Sequence, residues 1–493
     1  MRKICYLANS VQLDPVNGEV KQLFELWRSL DYSDMAQEDI NPCWDNLPSV
    51  ILQEIFSYLP HETRIEASQV CKNWRYALFH PSFWKKITFA LEDEDRILWA
   101  RFLADCFGLS VQEVTIRCEM PMYALNETSI LLKKLSNNRQ LRKLFLESSE
   151  STFERSVTDM EMDEDSQTTN SKPLITHIVK IIETSNCLEA LSLGCIEELT
   201  ASASIILEPL SLHHAKHLTH LSLASVKDDP DHYDFLELDH NMFRSFGRLT
   251  ILTIDYDFVS DKFLNALDTG IMERLVIHVH GWNNDYPGTT NDAWQSFTQK
   301  NPHCQLRLNL IHSYVGIKVL DTDILRPDMP LTHLKVLFCE TVNNRALHHL
   351  SNWYQDTLQS FIWMDSMNHL QKIPATYDPN DPDSPDPLVI VAWKCTKLRE
   401  LVFIGHKYYQ QNLLAIARLR GSKLNYLAFA EDNIVSDYEL WHKTDSSIIH
   451  EIQQIMGDRW ESLSDAELPP VVMDPFGNDS REVIIPMVLR DQK

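Results

Sequence analysis

The sequence predicts a mixed α/β protein in which a small three-helix unit precedes an irregular solenoid of strands and helices. Two observations predict this fold. Between residues 43 and 87, apolar side chains recur at helical spacing and prolines separate three short segments. From about residue 111, apolar residues at positions one, four and six of a short motif recur along the chain. A length of 493 residues suits two or three domains or one solenoid.

The helical unit is predicted to expose an apolar surface. Its first helix begins at Leu47-Pro48, with Asn46 as a candidate N-cap, and ends at Pro60. Two further helices end before Pro81. A unit of roughly 45 residues is near the size at which a lone core is marginal. We therefore expect its exposed apolar face to be an interface.

The order of residues in this unit resembles the F-box. Three further motifs come after Leu47-Pro48, in this order and separated by other residues: Ile-Phe-Ser-Tyr-Leu-Pro, Val-Cys-x-x-Trp and Pro-x-x-Trp. Val50 departs from the family pattern, in which an acidic residue is common there, and Arg64 stands where leucine is common. The alternative interpretation is an ordinary helical core, but core packing alone does not require this order.

The resemblance implies that the unit binds the Skp adaptor of cullin–RING ubiquitin ligases. It assigns adaptor contact to a set of apolar residues, with two tryptophans shaping the unit: Leu47, Pro48, Ile51, Ile55, Phe56, Leu59, Trp74 and Trp84.

The repeated motif is close to the strand of a leucine-rich repeat. Predicted strands start at residues 111, 141, 188, 218, 249, 272, 305, 331, 358, 398 and 424. Candidate helices lie between them, for example at 262–267 and 291–299. Such a repeat stacks into a solenoid with a parallel sheet on its inner face; an ordinary α/β domain is the alternative. The pairing with the helical unit resembles the F-box–leucine-rich-repeat proteins.

The predicted organisation has five parts: an N-terminal extension (1–42), the F-box (43–87), a helical linker (88–110), the solenoid (111–457) and a C-terminal capping segment (458–493). Disordered insertions are predicted near 147–172, which is acidic and rich in Ser and Thr, and near 374–387, which alternates Pro and Asp. The capping segment is apolar and punctuated by prolines, so we expect it to lie extended over the edge strand.

Composition narrows the partners and the compartment. The net charge of -25 argues against binding to nucleic acid or to an anionic membrane. Ten scattered cysteines without a C-x-x-C pair suit reduced thiols in the cytoplasm or nucleus. No signal peptide or apolar run of ~20 residues is evident.

No motif predicts catalysis, a cofactor or a metal. The histidines His213, His214, His217 and His220 cluster, and two of them lie one helical turn apart, but no third ligand is suitably spaced. We therefore predict no catalytic residue and no metal. A hydrolase or a metal-dependent enzyme that uses this histidine cluster is the alternative, which bound metal in purified protein would support.

A basic strip is predicted on the inner face of the sheet. Positions two, four and six beyond the first apolar residue of each strand face inward, which aligns Arg274, Arg307, His333 and Lys335 on neighbouring strands. Like charges this close become favourable when an anion lies across them. The strip is predicted to bind an acidic or phosphorylated segment of a substrate protein. Pairing with the chain's own acidic loops is the alternative.

The sequence thus predicts a non-catalytic substrate-recognition subunit of an SCF-type ubiquitin ligase. The F-box would bind the Skp adaptor and, through it, cullin and the RING protein. The repeats would hold a target for ubiquitination and proteasomal degradation. The alternative is a scaffold that binds proteins through its repeats without ligase output, and substrate half-life would separate the two.

Overall fold

The computed structural model describes residues 44, 47–118, 121–149, 171–227, 229–230, 232–233, 238–283, 286, 288–367, 373–381, 383–436 and 446–492. The chain divides into two compact units. The N-terminal unit is formed by Val11–Ser148 and Phe153–Leu191, and the C-terminal unit mainly by Ser192–Lys493. The predicted N-terminal extension and most of the first insertion lie outside the described residues.

The N-terminal unit begins with the three predicted helices and continues with alternating strands and helices. Strands β1 to β3 pair in parallel and in chain order. The elements are α1 (Ser49–Ser57), α2 (His61–Ser68), α3 (Lys72–Leu78), β1 (Lys86–Leu91), α4 (Glu94–Phe107), β2 (Glu113–Cys118), α5 (Pro121–Leu135), β3 (Lys143–Ser148), α6 (Lys172–Thr184) and β4 (Ala190–Ser192).

Strand β1 corrects the prediction of a wholly helical linker at 88–110. Ile87, Phe89 and Leu91 are buried while the residues between them are more exposed, which is the period of a strand. β1 pairs with β2 in parallel register, Ile87 opposite Val114. Only α4 follows the helical prediction. The parallel sheet therefore starts directly after the helical unit, before residue 111.

The C-terminal unit repeats the strand–helix alternation. Its main strands are parallel and follow the chain in the order β5, β6, β7, β8, β9, β10, β11, β13, β15. The elements are α7 (Glu197–Thr200), α8 (Ala203–His213), β5 (His220–Ser222), β6 (Ile251–Asp255), α9 (Asp261–Ala266), β7 (Arg274–Val279), α10 (Asn291–Lys300), β8 (Gln305–Ile311), β9 (Leu331–Leu337), α11 (Asn344–Trp353), β10 (Ser360–Met364), α12 (Pro387–Lys394), β11 (Glu400–Ile404), β12 (Tyr408–Tyr409), α13 (Gln410–Arg420), β13 (Tyr426–Ala430), β14 (Ile434–Val435), α14 (Ser446–Met456), β15 (Trp460–Leu463), α15 (Pro470–Met473) and α16 (Arg481–Leu489).

The α/β repeat fold is confirmed. A strand begins at each predicted start or two residues after it, and α9 and α10 occupy the two regions proposed as helices. Like β1, the strands β12, β14 and β15 were not predicted. β15 pairs with β13 and lies within the region assigned to the capping segment. No helix in the described part of the chain is long and apolar enough to cross a membrane.

The C-terminal capping segment is helical, which corrects the prediction of an extended chain over the edge strand. α16 buries Val483, Ile484 and Val488 against one face of the sheet, where it meets residues such as Ile362 and Val402. A turn of 3-10 helix, Arg490–Gln492, follows. The segment folds as a helix because one side of it can cover apolar side chains of several strands at once.

The second insertion is ordered where the structure describes it. Residues 373–381 and 383–386 form turns that lead into α12. Asp386 caps that helix by accepting hydrogen bonds from Leu388 N and Val389 N, both at 3.0 Å. The Tyr408 hydroxyl donates to the same carboxylate at 2.7 Å. The predicted disorder is therefore wrong for these residues, because Asp386 gives the loop a fixed end.

Candidate functional site

Helix α1 presents an apolar band to solvent. Pro48 and Ile51 are exposed and Leu47 and Ile55 are partly buried. The spacing of three and four residues places Pro48, Ile51 and Ile55 on one side of the helix. This band contains four of the residues that the F-box resemblance assigns to adaptor contact.

Two residues of the set that the resemblance singles out, Phe56 and Trp84, are buried within the N-terminal unit. Phe56 is 0% exposed, and its ring packs edge-on against Trp74 with centroids 5.9 Å apart. Trp84 is buried, stacks on Phe107 at 5.0 Å and donates a hydrogen bond to the Leu78 carbonyl at 2.8 Å. The assignment of Phe56 to direct contact is corrected: the ring has no surface to offer a partner and instead holds the helices together. Trp84 is likewise a packing residue inside the unit.

Arg64, which departs from the family pattern, has an internal role. Its Nε donates to the Phe56 carbonyl at 2.7 Å, and its guanidinium lies 4.9 Å from the centroid of the Phe83 ring. A cation over an aromatic face is stabilising. Arg64 therefore replaces the apolar packing of a leucine by a hydrogen bond and a cation–π contact.

The predicted basic strip also forms. Arg307 and His333 are directly opposite each other on β8 and β9, and Lys335 is opposite Asn309 two positions further on. Arg274 lies at the start of the neighbouring strand β7. We call Arg274, Arg307, His333 and Lys335 the basic column.

Asp491 is the anion that lies across the basic column. Its Oδ1 is 2.8 Å from Arg307 Nη1 and its Oδ2 is 2.6 Å from Lys335 Nζ. Asn309 Nδ2 donates to Oδ2 at 3.0 Å, and Arg274 Nη1 donates to the Asp491 backbone carbonyl at 3.0 Å. The strip is thus engaged by the chain's own C-terminal turn, which is the kind of internal pairing that the sequence left open as the alternative.

Burial and neighbouring charges at this site shift the pKa values of Asp491, Arg274 and His333. Burial alone opposes ionisation of Asp491, but attraction by Lys335 and Arg307 holds the pKa of its carboxyl well below the ordinary range. Burial and the neighbouring Arg307 lower the pKa of Arg274. Burial and Arg307 likewise lower the pKa of His333 to about 4. The His333 imidazole is therefore neutral at neutral pH.

Sequence reasoning missed Asp491 and Asn309. Asn309 stands at an inward position of its strand, so the repeat register could have identified it. No local pattern marks Asp491, because its partners Arg307 and Lys335 are 184 and 156 residues away in sequence.

The predicted histidine cluster does not assemble a metal site in the described residues. His213 ends α8 and is exposed, as is His217, whereas His214 is buried and His220 begins β5. No metal-ligating group of three among the described residues includes any of them.

A different trio, Asp255, His278 and His280, is buried with candidate ligand atoms within 4.8 Å of one another. Ser225 accounts for their contacts: its N and Oγ donate to Asp255, and its carbonyl lies 2.8 Å from His278 Nδ1 and 3.1 Å from His280 Nε2. Carboxylate and imidazole ligands suit a divalent ion. Ser225 engages one nitrogen of each imidazole, whereas His278 Nε2 and His280 Nδ1 are buried without a hydrogen-bond partner among the described residues.

Comparison with known proteins assigns the helical unit. Residues 44–90 match the family model described as F-box-like. The chain thus combines an F-box-like unit with a parallel, leucine-rich-repeat-like region, which confirms the resemblance to F-box–leucine-rich-repeat proteins.

Relatives extend over most of the chain. F-box only protein 33 of Homo sapiens is 26% identical over 89% of this chain and 86% of the relative, and the protein of the same name from Mus musculus is 27% identical with the same coverage. F-box/LRR-repeat protein 21 of Bos taurus is 22% identical over 85% of this chain and 89% of the relative.

Proposed function

We propose that the protein is a non-catalytic substrate-recognition subunit of an SCF-type cullin–RING ubiquitin ligase. The F-box-like unit binds the Skp adaptor, and the repeat region holds a target protein. The observation that supports this proposal is the exposed apolar band of α1 within a segment that matches the F-box. Eight cysteines of the described residues are free thiols, which suits the reducing cytoplasm or nucleus.

In this function the protein contributes placement and no bond chemistry. Binding both the ligase core and the target converts ubiquitin transfer between separate molecules into transfer within one assembly. The effective concentration of a target lysine near the charged conjugating enzyme rises accordingly. The chain needs a surface for each partner and requires no catalytic residue.

The apolar band is tested by introducing charge at Ile51, which is 48% exposed on α1. Ile51→Asp is expected to reduce affinity for the purified Skp adaptor by at least about tenfold, because burying an unpaired carboxylate costs more than about 1.4 kcal/mol. The measurement is a titration of full-length chain with adaptor, alongside co-purification with cullin.

Val50→Asp is the matched control. Val50 is 70% exposed on the same helix. It directly precedes Ile51 and lies two residues before the buried Leu52, so its side chain points away from the band. This variant is expected to retain adaptor binding. Equal loss in both variants, or no binding by the parent chain, would contradict the assignment of the band.

A scaffold without ligase output remains the second candidate function, since the same interface could recruit the adaptor alone. Target half-life with and without the chain separates the two functions. A shorter half-life that depends on Ile51 supports the ligase subunit.

A further inference from the structure

We propose that the basic column is a binding site for an anionic peptide segment of a partner protein, and that Asp491 occupies it in cis as a built-in competitor. The inference rests on the proposed function, because the partner would be the target held by the repeat region. It adds the chemistry of recognition and a contact that regulates it.

The first supporting observation is an excess of positive charge. Arg274, Arg307 and Lys335 face one carboxylate, and Arg274 reaches only the backbone carbonyl of Asp491. The Nε atoms of Arg274 and Arg307 are buried and have no hydrogen-bond partner among the described residues. Unused buried donors are costly. A phosphate, with two charges and three acceptor oxygens, or a pair of carboxylates would satisfy more of them than Asp491 does.

The second observation is that the C-terminal segment is held in two separate ways. α16 is held mainly by apolar contacts of Val483, Ile484 and Val488 with the sheet, and Lys335 Nζ also donates to its Met487 carbonyl at 2.9 Å. The following turn, Arg490–Gln492, is held by polar contacts: those of Asp491, and those of Gln492 with Ser192 Oγ at 2.9 Å and Cys195 Sγ at 3.1 Å.

These two attachments differ in how a ligand affects them. An incoming anion can replace the hydrogen bonds of Asp491 group for group, whereas it has nothing to offer in place of the apolar packing of α16. A three-residue turn also costs little to open compared with a helix that covers several strands. The turn can therefore leave the column while α16 stays in place.

The direct test removes the competing charge with Asp491→Asn, which keeps the shape of the side chain. Fluorescence anisotropy is measured with three labelled peptides of one Gly/Ser sequence, carrying a phosphoserine, a pair of aspartates or neither. Asp491→Asn is expected to raise affinity for an anionic peptide at least tenfold over the parent chain. Addition of Arg307→Gln is expected to abolish that gain. The two anionic peptides distinguish phosphate from carboxylate recognition.

Asp268→Asn is the matched control, since Asp268 is an exposed carboxylate of the same unit. It changes the net charge equally and is expected to leave peptide binding unchanged. The proposal is overturned if Asp491→Asn and Asp268→Asn bind the peptides alike, if the neutral peptide gains as much as the anionic ones, or if Arg307→Gln has no effect.

A second measurement uses the parent chain, so it does not depend on the folding of a variant. Amide hydrogen exchange is followed with and without the phosphoserine peptide in excess. The peptide is expected to speed exchange in Arg490–Gln492 while Val483–Val488 stays protected. Unchanged exchange in the turn, or equal loss of protection in α16, contradicts displacement of the turn alone.

These assays contain no adaptor. A negative result therefore leaves adaptor binding by α1 untouched, and Ile51→Asp is expected to bind the peptides like its parent.

Discussion

Asp491 shows how one carboxylate can stabilise a cluster of neighbouring cations. Lys335 is buried, and its Nζ contacts both Asp491 Oδ2 and the Met487 carbonyl at 2.9 Å. A buried ammonium without a partner is strongly unfavourable, and the loss of one member of a buried pair costs far more than the pair contributes. The carboxylate is what allows these cations to stand on adjacent strands.

Gly405 is a second position where one residue decides local geometry. Its φ of +97° lies in the left-handed region, and a Cβ there would meet the Asp365 carbonyl oxygen at 2.4 Å. We predict that Gly405→Ala lowers the free energy of unfolding by about 1–3 kcal/mol, through backbone strain and this clash. Urea unfolding of the full chain measures the change.

Gly247→Ala provides the comparison. Among the described residues, no heavy atom lies within 4 Å of a Cβ added at Gly247, and its φ is not in the left-handed region. Its replacement should be neutral or stabilise by up to about 1 kcal/mol, through the entropy of the unfolded chain. Similar losses at both glycines would show that the strain at Gly405 is not the cause.

At the scale of elements, the apolar residues of the C-terminal segment serve to pack α16 against the sheet. We predict that Ile484→Ala lowers the free energy of unfolding by about 2–5 kcal/mol, because Ile484 is fully buried among side chains of several strands. The shift of the urea midpoint is the measurement.

Phe476→Ala is the control from the same segment. Phe476 lies between α15 and α16 and is 101% exposed, so truncating it removes no packing. Its effect should stay within about 0.5 kcal/mol. A loss at Ile484 as small as that at Phe476 would mean that α16 does not contribute to the core.

The elements also show how far sequence reasoning reaches. Strands of the repeat could be predicted because each buries leucine-like residues at fixed positions, a local signal. The sequence around β1 predicts helix because its six residues lie beside a long helical run and carry only three buried positions. The sequence of α16 predicts an extended chain because Pro486 and its neighbours disfavour a helix locally, while the packing that favours the helix comes from distant strands.

Each candidate site likewise has a part that the sequence predicts and a part that depends on packing between distant segments. The F-box residues form one continuous segment, so their order could be matched, although burial of Phe56 depends on how three helices pack. Alignment of Arg307 with His333 followed from the repeat period. The presence of Asp491 could not be predicted, because it depends on the path of the chain after β15.

For the molecule as a whole, buried histidines predict the response to acid. Burial lowers the pKa of His278, His312 and His333 from 6.5 to about 4. Between pH 6.5 and about pH 4, these histidines therefore bind protons in the unfolded chain but stay neutral in the folded chain. The free energy of unfolding should fall as the pH is lowered through this window, by up to about 1.4 kcal/mol per pH unit for each histidine.

Urea midpoints at pH 7.5, 6 and 5 test this slope. His278→Asn should flatten it, and His213→Asn, at an exposed position, should not. Equal slopes in all three proteins would contradict the prediction. Asp491 acts in a lower window, because a carboxyl with a depressed pKa stabilises the fold above about pH 4 and loses that effect as the pH falls further.

The contact between Asp491 and the basic column also bears on how the chain folds while it is being synthesised. A solenoid can fold repeat by repeat as the chain leaves the ribosome, since each repeat packs on its neighbours. Asp491 is made 184 residues after Arg307, an interval on the order of 10–40 s at ordinary rates of translation. Until then, the column and the apolar strand residues beneath α16 are uncovered. Nascent chains should therefore bind chaperones at this face until Arg490–Gln492 has left the ribosome.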